Sequence, residues 1–141
     1  MSIWFKDYKL EDWDGRTKNT IHDSLGIEMT EVGPDFVSGK MPVDDRTVQP
    51  MRLLHGGASV VLAESLGSIA ATMVVDPEKF YCVGQSIFGN HLRPATEGFV
   101  YGTARPAHIG RKTQLWEIEI VNEAGKVVHL SRLTMAVVEK A

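Results

Sequence analysis

One carboxylate stands in the most apolar stretch of the chain. The twenty residues from Gly56 to Val75 carry a single charge, Glu64. An acid taken out of water without a partner is costly, so it either has chemical work to do or reaches an exposed stripe of its helix. Ser68 lies four residues further on and shares a helical face with Glu64. Val61 and Gly57 extend that face back to the helix start. At that start, His55-Gly56-Gly57 combines unpaired backbone N–H groups with the positive end of a helix dipole. Glycine there lets a ligand approach the backbone closely. An N–H aimed at a carbonyl oxygen stabilises a developing oxyanion by about 3 kcal/mol per donor. A plain glycine turn, with His55 in a structural role, is the competing reading.

Gln49 lies in the loop before this helix, and its amide can donate to an anion or orient a water. His91, Arg93, Arg105, His108, Arg111 and Lys112 form a basic set around Gly110. Arginine as a fork and lysine as a point charge suit phosphates, although scattered turn charges would read the same way. Other chemistries lack their residues. Gly33 to Lys40 has the wrong glycine spacing for a phosphate loop, and Met41 stands where a hydroxyl is required. No dinucleotide fingerprint or serine elbow is present. His22, His55, His91, His108 and His129 show no paired metal-ligand spacing, so no metal is expected.

These residues need a scaffold. The pattern predicts a long helix from His55 to Val75, stopped by Asp76-Pro77. Strands are expected at Ile27–Val32, Phe36–Val43, Tyr81–Leu92, Phe99–Ala107, Thr113–Asn122 and Val127–Val138. Trp116, Ile118 and Ile120 alternate with Glu117 and Glu119, the period of a strand with one wet face. Residues 1–25 read as a helical segment in which Leu10, Trp13 and Thr17 recur at helical spacing. The class is α+β, a single domain over residues 1–141 with one long helix and about six antiparallel strands.

Fifteen Lys and Arg against eighteen Asp and Glu give a formal charge of −3, which argues against nucleic acid as a partner. Cys82 is the only cysteine, so no internal disulfide forms and a reducing, cytoplasmic setting is expected. The apolar helix contains Gly56, Gly57, Gly67, Ser59, Ser65, Ser68 and Thr72, which suits a protein core better than lipid.

Several segments resemble the hotdog-fold acyl-CoA thioesterases. They are MPVDDRTVQP and LLHGGASVVLAESLGS (41–50 and 53–68), NHLRP (90–94), HIGRKTQLWEIEI (108–120) and SRLTMAVV (131–138). The specific part is the order Gln49, His55-Gly56-Gly57, Glu64. The branch it most resembles cleaves aromatic acyl-CoA thioesters, such as 1,4-dihydroxy-2-naphthoyl-CoA in menaquinone synthesis. The resemblance implies a helix sheathed by an antiparallel sheet, edge-to-edge homodimers stacked into homotetramers, and active sites at subunit interfaces. It assigns Glu64 as the catalytic carboxylate, acting as general base or by direct attack. Gly56 N–H polarises the thioester carbonyl, Gln49 and His55 position substrate and water, and Ser68 holds the water or acyl group. Asn90, His91, Arg93, Gly110, Arg111 and Lys112 match regions that contact the coenzyme A arm. No cofactor is implied, because coenzyme A belongs to the substrate.

Two departures bear on the acyl group. Pro50-Met51-Arg52 replaces the Pro-Phe-Gly of close relatives, so Arg52 is expected to reshape the pocket mouth or reach an acyl carboxylate. Gln85 to Gly89 replaces a more acidic stretch. Two other functions compete. A hotdog dehydratase for hydroxyacyl thioesters would use a different histidine motif with a proline-rich flank. A non-catalytic acyl-CoA-binding module would have no use for Gln49, Gly56 and Glu64 together.

Overall fold

The period of two in the second half of the chain and the long glycine- and alanine-rich apolar run resolve into one sheet and one helix. The computed structural model describes residues 1–141. After a 3-10 turn (Leu10–Trp13) come α1 (Ile21–Leu25), β1 (Glu28–Val32), β2 (Val37–Pro42) and the long helix α2 (Gly56–Val74). Then follow β3 (Phe80–His91), β4 (Phe99–Ile109), β5 (Thr113–Val121) and β6 (Val127–Glu139). The six strands form one antiparallel sheet in the order β1-β2-β4-β5-β6-β3. This is the hotdog architecture: α2 lies along the sheet and packs against β2 to β6.

The expected N-terminal helix through Thr17 is reduced to the 3-10 turn. Gly15 takes the left-handed conformation (φ 74°) and breaks the run. Helix α1 ends at Gly26 (φ 71°), where glycine supplies the left-handed cap.

Eleven of the nineteen α2 residues are buried. The helix has the length and composition of a membrane span, but here its apolar faces pack into the sheet. Close approach depends on glycines of the sheet as well as of the helix. Gly39 and Gly102 are register partners on β2 and β4. A β-carbon on either would come within 2.8 Å of a Leu66 methyl, so the pair forms a notch that receives this side chain. At the next residue, Gly67 leaves room for Leu133, whose Cδ2 would lie 2.5 Å from an added β-carbon. Trp116 is fully buried, and its indole N–H donates to Gln114 Oε1 at 2.8 Å. Trp4 stacks on Trp116 and donates to the Gly33 carbonyl, which fastens the N-terminal segment to the core.

The two sheet edges differ. β1 is short and bulged between Met29 and Glu31. β3 is twelve residues long, unpaired on its outer side, and exposes Tyr81, Val83 and Phe88. Cys82 on this strand is half-buried, with Sγ 3.5 Å from the Ala71 carbonyl, and burial pushes its thiol pKa up.

Candidate functional site

Gln49 and Gly56 on one side, and Glu64 and Ser68 on the other, line two separate clefts of one chain. The first surrounds the start of α2, has a volume of about 320 Å³, and is lined by Gln49, Leu53, Gly56, His91 and Arg93 among others. The loop leading into it is held from below. The buried Thr47 hydroxyl donates to the Pro42 carbonyl at 2.6 Å, and the Leu54 and His55 amides donate to Ala95 and Thr47 carbonyls. Between these anchors, Gln49 N–H donates to Leu53 O and closes a tight turn. Gln49 Oε1 accepts from the Met51 amide, so its NH₂ group remains free to donate.

His55 caps α2: its Nδ1 accepts from Gly57 N–H at 2.8 Å, while its carbonyl accepts from the Ala58 and Ser59 amides. The Gly56 N–H finds no acceptor. This leaves one donor at the positive helix end pointing to the cleft, the arrangement that carbonyl polarisation requires. Gly56 is needed here for space, because a β-carbon would lie 2.4 Å from His91 Nε2.

Glu64 belongs to the second cleft, of about 470 Å³, which also includes Ser68, Trp13, Arg16, Ile21 and His22. Val61, Glu64 and Ser68 lie on the one stripe of α2 that the sheet leaves partly open, so Glu64 is half-buried rather than enclosed in the apolar core. No hydrogen bond or ion pair within the chain engages its carboxylate. The carboxylate extends to the open edge of the sheet, where a β-carbon on Gly84 would lie 2.7 Å from Oε1. The β3–β6 register slips between Gly84 and Ser86, a bulge at the same place. Ser68 Oγ is 3.7 Å from Met135 Sδ, a weak partner that leaves the hydroxyl available. The N-terminal segment forms the far wall. Arg16 lies over the Trp13 ring at 5.2 Å, and burial lowers the pKa of His22.

The basic set divides. His91 and Arg93 reach the first cleft, where Arg93 also donates to the Val127 carbonyl at 2.9 Å. Asn90, one residue along the same pleat, faces the outer surface of the sheet beside Phe88 and Arg132. Gly110, Arg111 and Lys112 form the β4–β5 turn, with Lys112 O accepting from Val137 N–H. Val137 is eight residues along β6 from His129, the neighbour of His91, which places the two basic groups roughly 27 Å apart. Arg52 does not line either cleft. It adopts a left-handed conformation (φ 66°), and its exposed guanidinium pairs with Asp45.

Four further residues belong to the description. Gly84 is an isolated glycine inside a strand pattern, a recognised sign of close approach. Trp13 and Arg16 belong to a segment whose docking no local pattern shows. His129 is fully buried, and its Nδ1 lies 3.0 Å from His91 Nδ1.

Comparisons with known proteins bear on the family and the fold. A sequence profile described as the thioesterase superfamily matches residues 51–129. The chain is 44% identical over 135 residues to the 1,4-dihydroxy-2-naphthoyl-CoA hydrolase of Escherichia coli, covering 96% of this chain and 98% of that protein. A mutant thioesterase from Pseudomonas aeruginosa superposes with a TM-score of 0.96 at 46% identity, over 99% of this chain and 100% of that one. A Haemophilus influenzae thioesterase gives 0.93 at 42% identity, over 97% and 95%.

Proposed function

The chain belongs to the thioesterase superfamily, and from that premise we propose that it hydrolyses an aromatic or medium acyl-CoA thioester to the free acid and coenzyme A. In this reading the Gly56 N–H and the Gln49 amide hold the thioester carbonyl. Glu64 takes a proton from water as the water oxygen attacks the carbonyl carbon. The tetrahedral intermediate collapses with cleavage of the C–S bond, and the thiolate leaves. The second route has Glu64 attack the carbonyl itself and water cleave the resulting anhydride. Single turnover in ¹⁸O-water separates the two, because only the anhydride route can leave label in the Glu64 carboxyl. Ser68 holds the attacking water or the acyl group, and His55 keeps the helix start in place. The reaction uses no metal or cofactor.

The observation that carries this reading is a distance. Gly56 and Glu64 are eight residues apart on one straight helix, roughly 12 Å along its axis. Groups that act on one thioester must come within about 3.5 Å of its reacting atoms, and in one chain these two open into separate clefts, which supports a site assembled from two chains. A second copy paired along the open β3 edge brings the Glu64 of one chain, which already extends to that edge at Gly84, toward the Gln49 loop and Gly56 of the other. The same pairing covers Tyr81 and Val83. It also lets Arg111 and Lys112 reach coenzyme A phosphates from a different chain than His91 and Arg93. Stacking of such dimers into tetramers, and a cytoplasmic setting, complete the reading. The aromatic preference follows the E. coli relative, whose name specifies a naphthoyl thioester.

A thiol-trapping colour assay across benzoyl-, naphthoyl- and alkyl-CoA substrates tests the activity. Glu64→Ala is expected to remove most of the rate and leave the fold intact; turnover like that of the parent would refute the assignment. Refolding Glu64→Ala and Gln49→Ala chains together is expected to restore roughly a quarter of parental activity, since half the random dimers are hybrids with one intact site each.

A further inference from the structure

The cleft at the start of α2 is backed by a pair of histidines that the reaction as described does not use. His91 and His129 are register partners on β3 and β6, on the face of the sheet turned to the helix. Their rings stack with centroids 5.0 Å apart, and their Nδ1 atoms lie within hydrogen-bond distance. One Nδ1 therefore donates to the other. We infer that His129 donates through Nδ1–H to His91 Nδ1, fixing His91 in the tautomer that presents an Nε2–H donor beside the Gly56 N–H.

The direction follows from what surrounds His129. Its ring is fully buried, and Nε2 has no partner of any kind. A bond running from His91 to His129 would place the His129 proton on that isolated Nε2. A buried N–H with no acceptor is rarer than a buried lone pair with no donor. Protonation of both nitrogens is opposed as well, since burial and the adjacent His91 lower the His129 pKa to about 4. Gly89 supports the arrangement: its missing side chain makes room for the His129 ring, whose Cε1 would lie 2.6 Å from an added β-carbon. With His91 Nδ1 occupied as an acceptor, its one proton sits on Nε2. That atom is the one pressed against Gly56, in the cleft shared with Gln49 and Arg93.

The cleft thus offers two adjacent N–H donors, Gly56 from the helix and His91 from the sheet. Two adjacent donors suit a carbonyl oxygen of the substrate, either that of the thioester or an amide carbonyl of the coenzyme A arm. His91 would touch substrate, whereas His129 is a positioning residue acting through it. This inference rests on the thioesterase reading for its substrate, but the tautomer itself does not.

The test has two arms. In ¹⁵N-labelled resting protein, long-range ¹H–¹⁵N spectra report which imidazole nitrogens are protonated. The expected result is His91 protonated on Nε2 alone and His129 on Nδ1 alone, with His91→Gln identifying the signals. A His91 proton on Nδ1, or averaging between the two nitrogens, overturns the proposal even if the protein hydrolyses every substrate offered. In the kinetic arm, His129→Leu removes the donor and is expected to lower kcat/KM about tenfold. His129→Asn places an amide N–H near Nδ1 and is expected to stay within about threefold of the parent. A loss in kcat identifies the thioester carbonyl as the acceptor, and a rise in KM alone identifies an arm amide. Equal activity of folded His129→Leu and parent overturns the proposal. If the leucine variant does not fold, the spectra of the unmodified protein decide.

Discussion

Acidification should unfasten this protein at one identifiable side chain. His129 is fully buried on β6 beside its β3 partner His91, and burial together with that neighbour lowers its pKa from 6.5 to about 4. The unfolded chain takes up this proton as the pH falls through 6.5, whereas the folded chain does so only near 4. Between those values the unfolded state binds more protons, so folding stability falls as the pH falls. The contribution is fully present above 6.5 and is lost as acidification proceeds toward 4. At about 1.4 kcal/mol per pH unit, the gap amounts to roughly 3 kcal/mol at the bottom of the window and roughly 2 kcal/mol by about pH 5. Urea unfolding at several pH values between about 8 and 5, run on the parent and on His129→Asn, isolates this residue from other titrating groups. The parent should lose about 2 kcal/mol more than the variant over that range, at an unchanged slope in urea. Parallel stability curves for the two proteins would refute the argument.

Two glycine substitutions probe the site and its support. Gly84→Ala places a methyl 2.7 Å from Glu64 Oε1; it should lower kcat/KM by about ten- to a hundredfold in the thiol-release assay with little change in thermal stability, and parental activity would refute the placement of Glu64. Gly102→Ala forces a methyl against Leu66, which would lie 2.8 Å away; it should cost about 1–3 kcal/mol in urea unfolding, and a neutral effect would show that the notch is slack.

Much of the fold was readable because its signals are local. The alternation through β5, the proline after α2 and the turn residues between strands place the six strands and the long helix to within about two residues of their observed ends. The helix-start cleft was readable too, since Gln49, His55 and Gly56 lie within eight positions of one another. Glu64 stood out as the lone charge, with a chemical role and an exposed stripe as its two readings. The sheet covers the flanking faces and leaves the Val61–Glu64–Ser68 stripe half open. Asn90 was grouped with His91 and Arg93 through the family resemblance, and strand pleating sends it to the outer face of the sheet, opposite His91. The His91–His129 pair was beyond reach for a different reason. β3 pairs with β6, nearly forty residues further on, and that register is set by long-range packing around α2. The docking of Trp13 and Arg16 beside Glu64 is likewise a tertiary event with no periodic trace.

The seat of Leu66 between Gly39 and Gly102 bears on how such chains can diverge. Glu64 is two residues from that leucine, so the notch fixes where along the sheet the carboxylate emerges and at what rotation. A sequence drifting at the notch would move the acid relative to the β3 edge and lose turnover before it gained a new substrate. Residues 50–53, beyond Gln49, and the N-terminal segment around Trp13 lie outside this notch, and both segments border the two clefts. New acyl preferences can therefore accumulate in those two segments while the helix and the strands beneath it remain unchanged.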